Sequence, residues 1–341
     1  MTRISQSQAA PLWVHDAVVV GGVELGFEAH GVYTAEGRFV ENSALYQGPR
    51  CRSGEASAEI LTAQMPELRG DHLFGGHVAG HFGHILLESF ARLHLLLDRP
   101  EPLVFAELNF RQSSLFRQIT AMLGLPQHRL ILLDRPTRIE RLEVFAPDLS
   151  IRNYVLPRYA QSLERIGDSF CQSQGITQNS DAQPLYISRS RTNPKGRYYY
   201  GEATLERLLT AGGYKIAYPE TLPLEAQFKL LLQHCQIAGF YGSALHPLVF
   251  AEAAKRLTYL ACEPINLTFP LLESVKPNDW SVIEVEARAS GKTNEPKLLS
   301  EAGIAQVCQK LGVAASWSHE IRQLYAAEVA GFEASLAKPQ A

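Results

Sequence analysis

Early in the chain, three imidazoles and a carboxylate fall close together: His77, His81, His84 and Glu88, at relative positions 0, 4, 7 and 11, with Arg92 following. Imidazole titrates near neutral pH, and beside a carboxylate it can serve as a general base or share a divalent metal ion. One uninterrupted helix would bring all four to a single face. Gly80 and Gly83 argue against such a helix, which makes metal binding the weaker use. The better fit is a loop presenting His81 and His84, with Glu88 one turn into a following helix, as an acid–base or substrate-positioning site. The competing structural role is that these histidines cap the helix start and satisfy backbone groups.

A second set opens where the strand-like run Leu185 to Ser188 ends. Ser188, Arg189, Arg191, Lys195 and Arg197 precede three tyrosines, Gly201 and Glu202. Cationic and polar groups between a strand end and a helix start suit a diphosphate. Arginine keeps its charge and donates in pairs, so it can hold the charge of a departing nucleoside diphosphate without a metal ion. The third set, Gly239 to His246, follows the strand-like run Gln236 to Phe240. Gly242 lets backbone approach a ligand, and Ser243 at a helix N-cap would turn free amides toward an anion. His246 either joins that site or is satisfied in the core.

These groups need elements to hold them. At 341 residues the chain exceeds one ordinary core, so two domains are expected, 1–155 and 156–341. Apolar residues at 46% and charged residues at 20% supply a sizeable interior and exclude wholesale disorder. A net charge of −3, with both signs scattered, gives no footprint for nucleic acid. Five widely spaced cysteines without a C-x-x-C pair read as reduced thiols. Without a leader-like start or an 18-residue apolar run, a cytoplasmic protein is expected; peripheral membrane association leaves no hydropathy trace.

Residues 1 to about 70 read as an irregular β-rich region, and Gly70 to Gly83 as a glycine-rich loop feeding a buried helix over Ile85 to Leu97. Strand-like runs at Leu103 to Phe105, Leu130 to Leu133 and Leu142 to Phe145 follow, with a helix at about Ser113 to Leu123. The second half alternates strands (Leu185, Lys215, Gln236, Leu257 and Ser281 onward) with helices at about Ala203 to Leu209, Leu224 to Cys235 and Ala244 to Ala254. That alternation predicts a doubly wound α/β sheet, whose ligands sit at the carboxyl ends of the strands. A helical segment closes the chain.

Taken in order, Gly80-His-Phe-Gly-His-Ile-Leu-Leu-Glu88, Tyr186-Ile-Ser-Arg189 with Arg197 and Glu202, and Tyr241-Gly-Ser-Ala-Leu-His246 resemble glycosyltransferase family 61. Gly213 to Glu220 and Leu224 to Gln227 resemble its linking segment. The family's second motif usually ends in Asn-Glu, where this chain has Gly201-Glu202. Its third commonly begins with His, where Tyr241 stands, and Pro247 lies near its Asn position. The resemblance implies two facing Rossmann-like domains of the GT-B type, a nucleotide-sugar donor, often a uridine diphosphate sugar, on the second domain, and inversion at the anomeric carbon. A glycan or polysaccharide acceptor follows, with His81, His84 or Glu88 as base. Ser188, Arg189, Arg191, Arg197, Glu202, Gly242, Ser243 and His246 are the donor-binding set, with no required cofactor. Two other readings compete: a metal-dependent hydrolase built on His77, His81, His84 and Glu88, and a non-catalytic carbohydrate-binding scaffold in polysaccharide assembly.

Overall fold

The structure is a computed structural model that describes residues 10–22, 25, 27–47, 50–51, 53–78, 81–108, 110–177, 183–192, 198–252, 254–289 and 295–337. Arg197, Lys195 and Gly80 lie outside these residues. The chain is α/β and divides into two compact units. The first comprises the chain up to Gly175 together with His246–Glu252 and Leu267–Lys276; the rest forms the second.

In the first unit a six-stranded mixed sheet is built from β1 (Leu12–Val20), β2 (Gly31–Tyr33), β3 (Glu67–Val78), β4 (Leu103–Glu107), β5 (Leu130–Leu133) and β6 (Thr137–Val144), in the order β2-β1-β6-β3-β4-β5. Strands β6, β3, β4 and β5 are parallel, and the β1–β2 hairpin joins antiparallel through β1 and β6. Strand β3 corrects the expected glycine-rich loop. Its ladder shifts register between Leu68 and Asp71 and between Phe74 and Gly76, so Gly70 (φ 84°) and Gly76 (φ 117°) mark irregularities in a strand rather than its absence. A Cβ on Gly75 would lie 2.5 Å from Phe105 Cζ, so the missing side chain admits that ring. Core residues Val14, Val19, Phe74, Val104, Ile139 and Leu142 pack on this sheet.

Helix α1 (Phe110–Met122) links β4 to β5, and α2 (Pro157–Gln174) follows β6. Pro at the first turn and Gly175 in the left-handed region set the ends of α2. Its buried face carries Tyr159, Leu163, Ile166, Gly167 and Phe170, at helical spacing. Tyr159 donates to the Leu86 carbonyl at 2.7 Å. The division therefore falls after α2, whereas the sequence reading places it at 155/156.

The second unit holds a fully parallel five-stranded sheet: β7 (Leu185–Ile187), β8 (Lys215–Ala217), β9 (Gln236–Phe240), β10 (Arg256–Ala261) and β11 (Asp279–Glu284), in the order β8-β7-β9-β10-β11. Helices α3 (Glu202–Ala211), α4 (Leu224–Gln233) and α5 (Glu301–Lys310) accompany it, with the terminal α6 (His319–Ala337). This is one of the two common strand orders of doubly wound sheets, with its switch point between β7 and β9. A core of Tyr186, Tyr199, Leu205, Leu208, Phe240, Leu260 and Ile304 fills the unit.

Candidate functional site

The carboxyl end of β3 delivers His77, and His81 begins the next described segment. His81 is exposed and extended, at the N-cap position of a short α-turn (Phe82–His84), but its side chain makes no capping bond. From Ile85 to Ser89 the backbone widens into a π-turn, a feature often found at functional sites. The expected continuous helix over Ile85 to Leu97 is thus a short α-turn, a π-turn and a last α-turn at His94–Asp98. His84 Nδ1 hydrogen-bonds to Glu88 Oε2 across this widened turn. That bond raises the His84 imidazole above its ordinary 6.5, against burial and the Arg152 charge. The side chains of His84 and Glu88 retain 34% and 15% exposure, enough to meet a ligand.

The His81 ring lies 4.8 Å from His84 at 75°, and burial, then the His84 charge, lowers its pKa. His246, from the third motif, belongs to this first unit. It stacks on Phe269 at 4.9 Å, and burial, with His84 and His81 next, depresses it to about 3. The bond to Glu88 makes His84 the most basic of the three imidazoles, and burial makes His81 and His246 less basic, a separation typical of acid–base sites. His77 does not share a helical face with the others. It is buried on β3 with its ring edge against Phe74, and burial holds it at about 3.

In the second unit, adjacent strands β7 and β9 diverge in connection and end on the second and third motifs. The register pairs Ile187 with Gly239, so Arg189 and Gly242 emerge side by side. A Cβ on Gly242 would stand 2.9 Å from Arg189 Nη1; the bare backbone makes room for the guanidinium. The Arg189 carbonyl accepts from Thr192 N at 3.0 Å and Thr192 Oγ1 at 2.7 Å, which pins the turn. Arg191 lies over Tyr218 at 3.8 Å, a cation–π contact that fixes its stem.

Ser188 and Glu202 sit beneath this turn, both fully buried. The Ser188 hydroxyl donates to Glu206 Oε1, and Glu206 Oε2 accepts from Tyr218 at 2.8 Å. Glu202 Oε1 accepts from the Tyr186 hydroxyl at 2.9 Å and the Arg189 amide at 3.1 Å. Burial pushes the Glu202 carboxyl up to about 8 despite both bonds. These two residues hold the arginine turn from below. Glu206, one turn beyond Glu202 on the same face of α3, is absent from the sequence-derived set, although its i,i+4 spacing from Glu202 places it beside that residue.

Two helix starts differ from expectation. The N-terminus of α3 is occupied by Glu328 of α6, which accepts from Gly201 N (2.7 Å), Ala203 N (3.2 Å), Thr204 N (3.0 Å) and Thr204 Oγ1 (2.6 Å). Ser243 opens a 3₁₀ helix (Ser243–Phe250), not an α-helix. Pro247 has no amide hydrogen to offer the Ser243 carbonyl and would crowd it in an α-turn, so the tighter turn results. At Gly201 the backbone is left-handed (φ 91°), a conformation in which Gly and Asn are the favoured residues.

Among the described residues, no three His, Cys, Asp or Glu side chains converge as a metal site would require. No helix of those residues is long and apolar enough to cross a membrane. No curated protein matches the chain by sequence. The sequence profile of glycosyltransferase 61 matches residues 82–258, from the turn that carries His84 to the middle of β10. That match spans more than half of the chain and both motif-bearing sheet ends, and the chain therefore belongs to glycosyltransferase family 61.

Proposed function

We propose that the chain transfers a sugar from a nucleotide-sugar donor, a uridine diphosphate sugar, to a glycan or polysaccharide acceptor with inversion at the anomeric carbon. The carrying observation is Arg189 against the bare backbone of Gly242, at the switch point of a parallel sheet. Ligands of such sheets bind there, and a guanidinium beside open backbone suits a diphosphate. Arg189 and Arg191 clamp the two phosphates, and the Ser243 turn adds polar donors. Because arginine keeps its charge, this clamp can operate without a metal ion.

In the first unit His84, oriented by Glu88 through Nδ1, offers Nε2 to take the proton of the acceptor hydroxyl. His81 is the other exposed candidate beside it. The hydroxyl oxygen attacks the anomeric carbon as the bond to the diphosphate breaks, and one displacement inverts the centre. Negative charge collects on the leaving phosphate, where the arginines meet it.

Calorimetric titration with uridine, guanosine, cytidine and thymidine diphosphates and their sugar conjugates, with and without magnesium, tests the donor site. One nucleotide should bind at micromolar concentration, and Arg189→Ala should abolish that binding. Turnover in Arg189→Ala should fall at least a hundredfold, since losing one such donor costs about 2.7 to 4 kcal/mol of transition-state stabilisation. Near-normal turnover in the variant would sink the assignment.

A further inference from the structure

The first sheet also reverses its strand order, between β3 and its neighbour β6. Past the carboxyl ends of these two strands lies a small cavity of about 20 Å³, lined by Tyr46, His77, Glu88, Arg92, Pro147 and Ser150 among others. That volume admits one water and little else, since a water needs roughly 10 to 15 Å³ of such space and two or more polar partners. Two buried lining groups have polar atoms without a hydrogen-bond partner among the described residues: His77 Nε2, on a residue 4% exposed, and Ser150 Oγ, on one 5% exposed. Leaving such atoms unsatisfied is costly, and native interiors supply partners for nearly all of them. A cation is disfavoured, because the guanidinium of Arg92 is fixed in the same wall. Its Nε donates to the Phe145 carbonyl at 2.7 Å and its Nη2 to the Asn42 carbonyl at 2.6 Å.

We propose that this cavity is the site of one ordered water that hydrogen-bonds to His77 Nε2, Ser150 Oγ and the Glu88 carboxylate, which makes His77 a positioning residue for the His84–Glu88 pair. Glu88 is then held from two sides, by His84 on its open side and by the water behind it. A carboxylate so held keeps the imidazole in one orientation and one tautomer, as supporting hydrogen bonds do at other preorganised sites. The role given to His77 rests on reading His84–Glu88 as the acid–base pair; the water site does not. The other charged or titratable groups facing the pair are His81, His246, Arg152 and Arg92.

A crystal structure of the full chain, at a resolution that shows solvent, should place a water within hydrogen-bond distance of His77 Nε2 and Glu88. An empty cavity would overturn the proposal. Nuclear magnetic resonance titration of His84 reads the coupling. Removing the donor behind Glu88 leaves its charge to His84 alone, so His77→Phe should raise the His84 midpoint by about half a unit. Ser150→Ala should shift it the same way, and His77→Gln, which restores a polar atom at a similar reach, should return it toward wild type. A His84 midpoint unchanged in both His77→Phe and Ser150→Ala would refute the coupling. Full glycosyl transfer by Glu88→Gln would defeat the base assignment while leaving the water site and its titration shift standing.

Discussion

Glu88 and Glu202 each serve as an anchor for a neighbour, and the neighbour decides what the acid does. Glu202 is enclosed and supports a backbone amide, whereas Glu88 meets an imidazole that is still a third exposed. The His84 midpoint lies above its ordinary value because the bond to Glu88 favours the charged ring. Glu88→Gln should therefore bring the His84 midpoint down toward or below 6.5, as followed by its ring resonances, and lower turnover by about 10²- to 10⁴-fold. The sign for stability follows from linkage. A group whose folded pKa is raised adds stability that is fully present below the unfolded value and is lost as pH rises through the folded one. Urea unfolding of wild type and Glu88→Gln should thus differ most below pH 6.5 and converge above the His84 midpoint. An unmoved His84 midpoint in Glu88→Gln would mean that the pair does not form in solution. Sequence alone brings His81, His84 and Glu88 together, because all three lie within eight residues and spacing is enough there. It could not assign His77 to a strand or His246 to the same unit, since neither placement is set by local periodicity.

At the level of elements, apolar runs identified the strands well: Leu130–Leu133 and Gln236–Phe240 fall where the sequence places them, and the alternation in the second half is the parallel sheet. The failures have particular causes. Strand β3 was hidden by glycines, which signal a loop statistically but here make bulges and admit Phe105. The 3₁₀ helix at Ser243 follows from one proline that a helix-period reading passes over. The start of α3 follows the loop expected to meet a diphosphate, yet a carboxylate more than a hundred residues away occupies it, and no local signal announces such a partner. Glu328 accepts three amides and a hydroxyl there, at the positive end of the helix. Glu328→Ala should destabilise the protein by about 2 kcal/mol, by analogy with lost caps and charged hydrogen bonds, with Glu328→Gln in between. Chemical denaturation monitored by circular dichroism measures it; a change within about 0.5 kcal/mol would show that water replaces the carboxylate without loss.

For the whole molecule, the informative feature is that the first unit is not one stretch of chain. After Gly175 the chain builds part of the second unit and then returns twice, with His246–Glu252 and Leu267–Lys276. The first return inserts Phe250, which meets Phe90 edge to face at 6.2 Å and sets its carbonyl where a Cβ on Gly167 would lie 2.0 Å away. The second brings Lys276, which donates to the Ala251 carbonyl and pairs with Glu164 of α2. It also buries Phe269, Leu271 and Leu272. A single cut between two domains, the natural inference from length, has no means of showing this, because composition does not record which unit a short segment rejoins. The consequence is measurable. Each of these large apolar side chains contributes roughly 1.5 to 3 kcal/mol by burial, and a domain is stable by only about 5 to 15 kcal/mol in total. A fragment of residues 1–175 therefore lacks enough of its own core to fold cooperatively, and should show no sigmoidal thermal transition and exposed apolar surface by dye binding, while the full chain melts cooperatively. Cooperative unfolding of the fragment near full-chain stability would mean that the returning segments decorate the first unit rather than complete it, and that the place of His246 beside His81 and His84 is not maintained by the packing of Phe250 and Lys276.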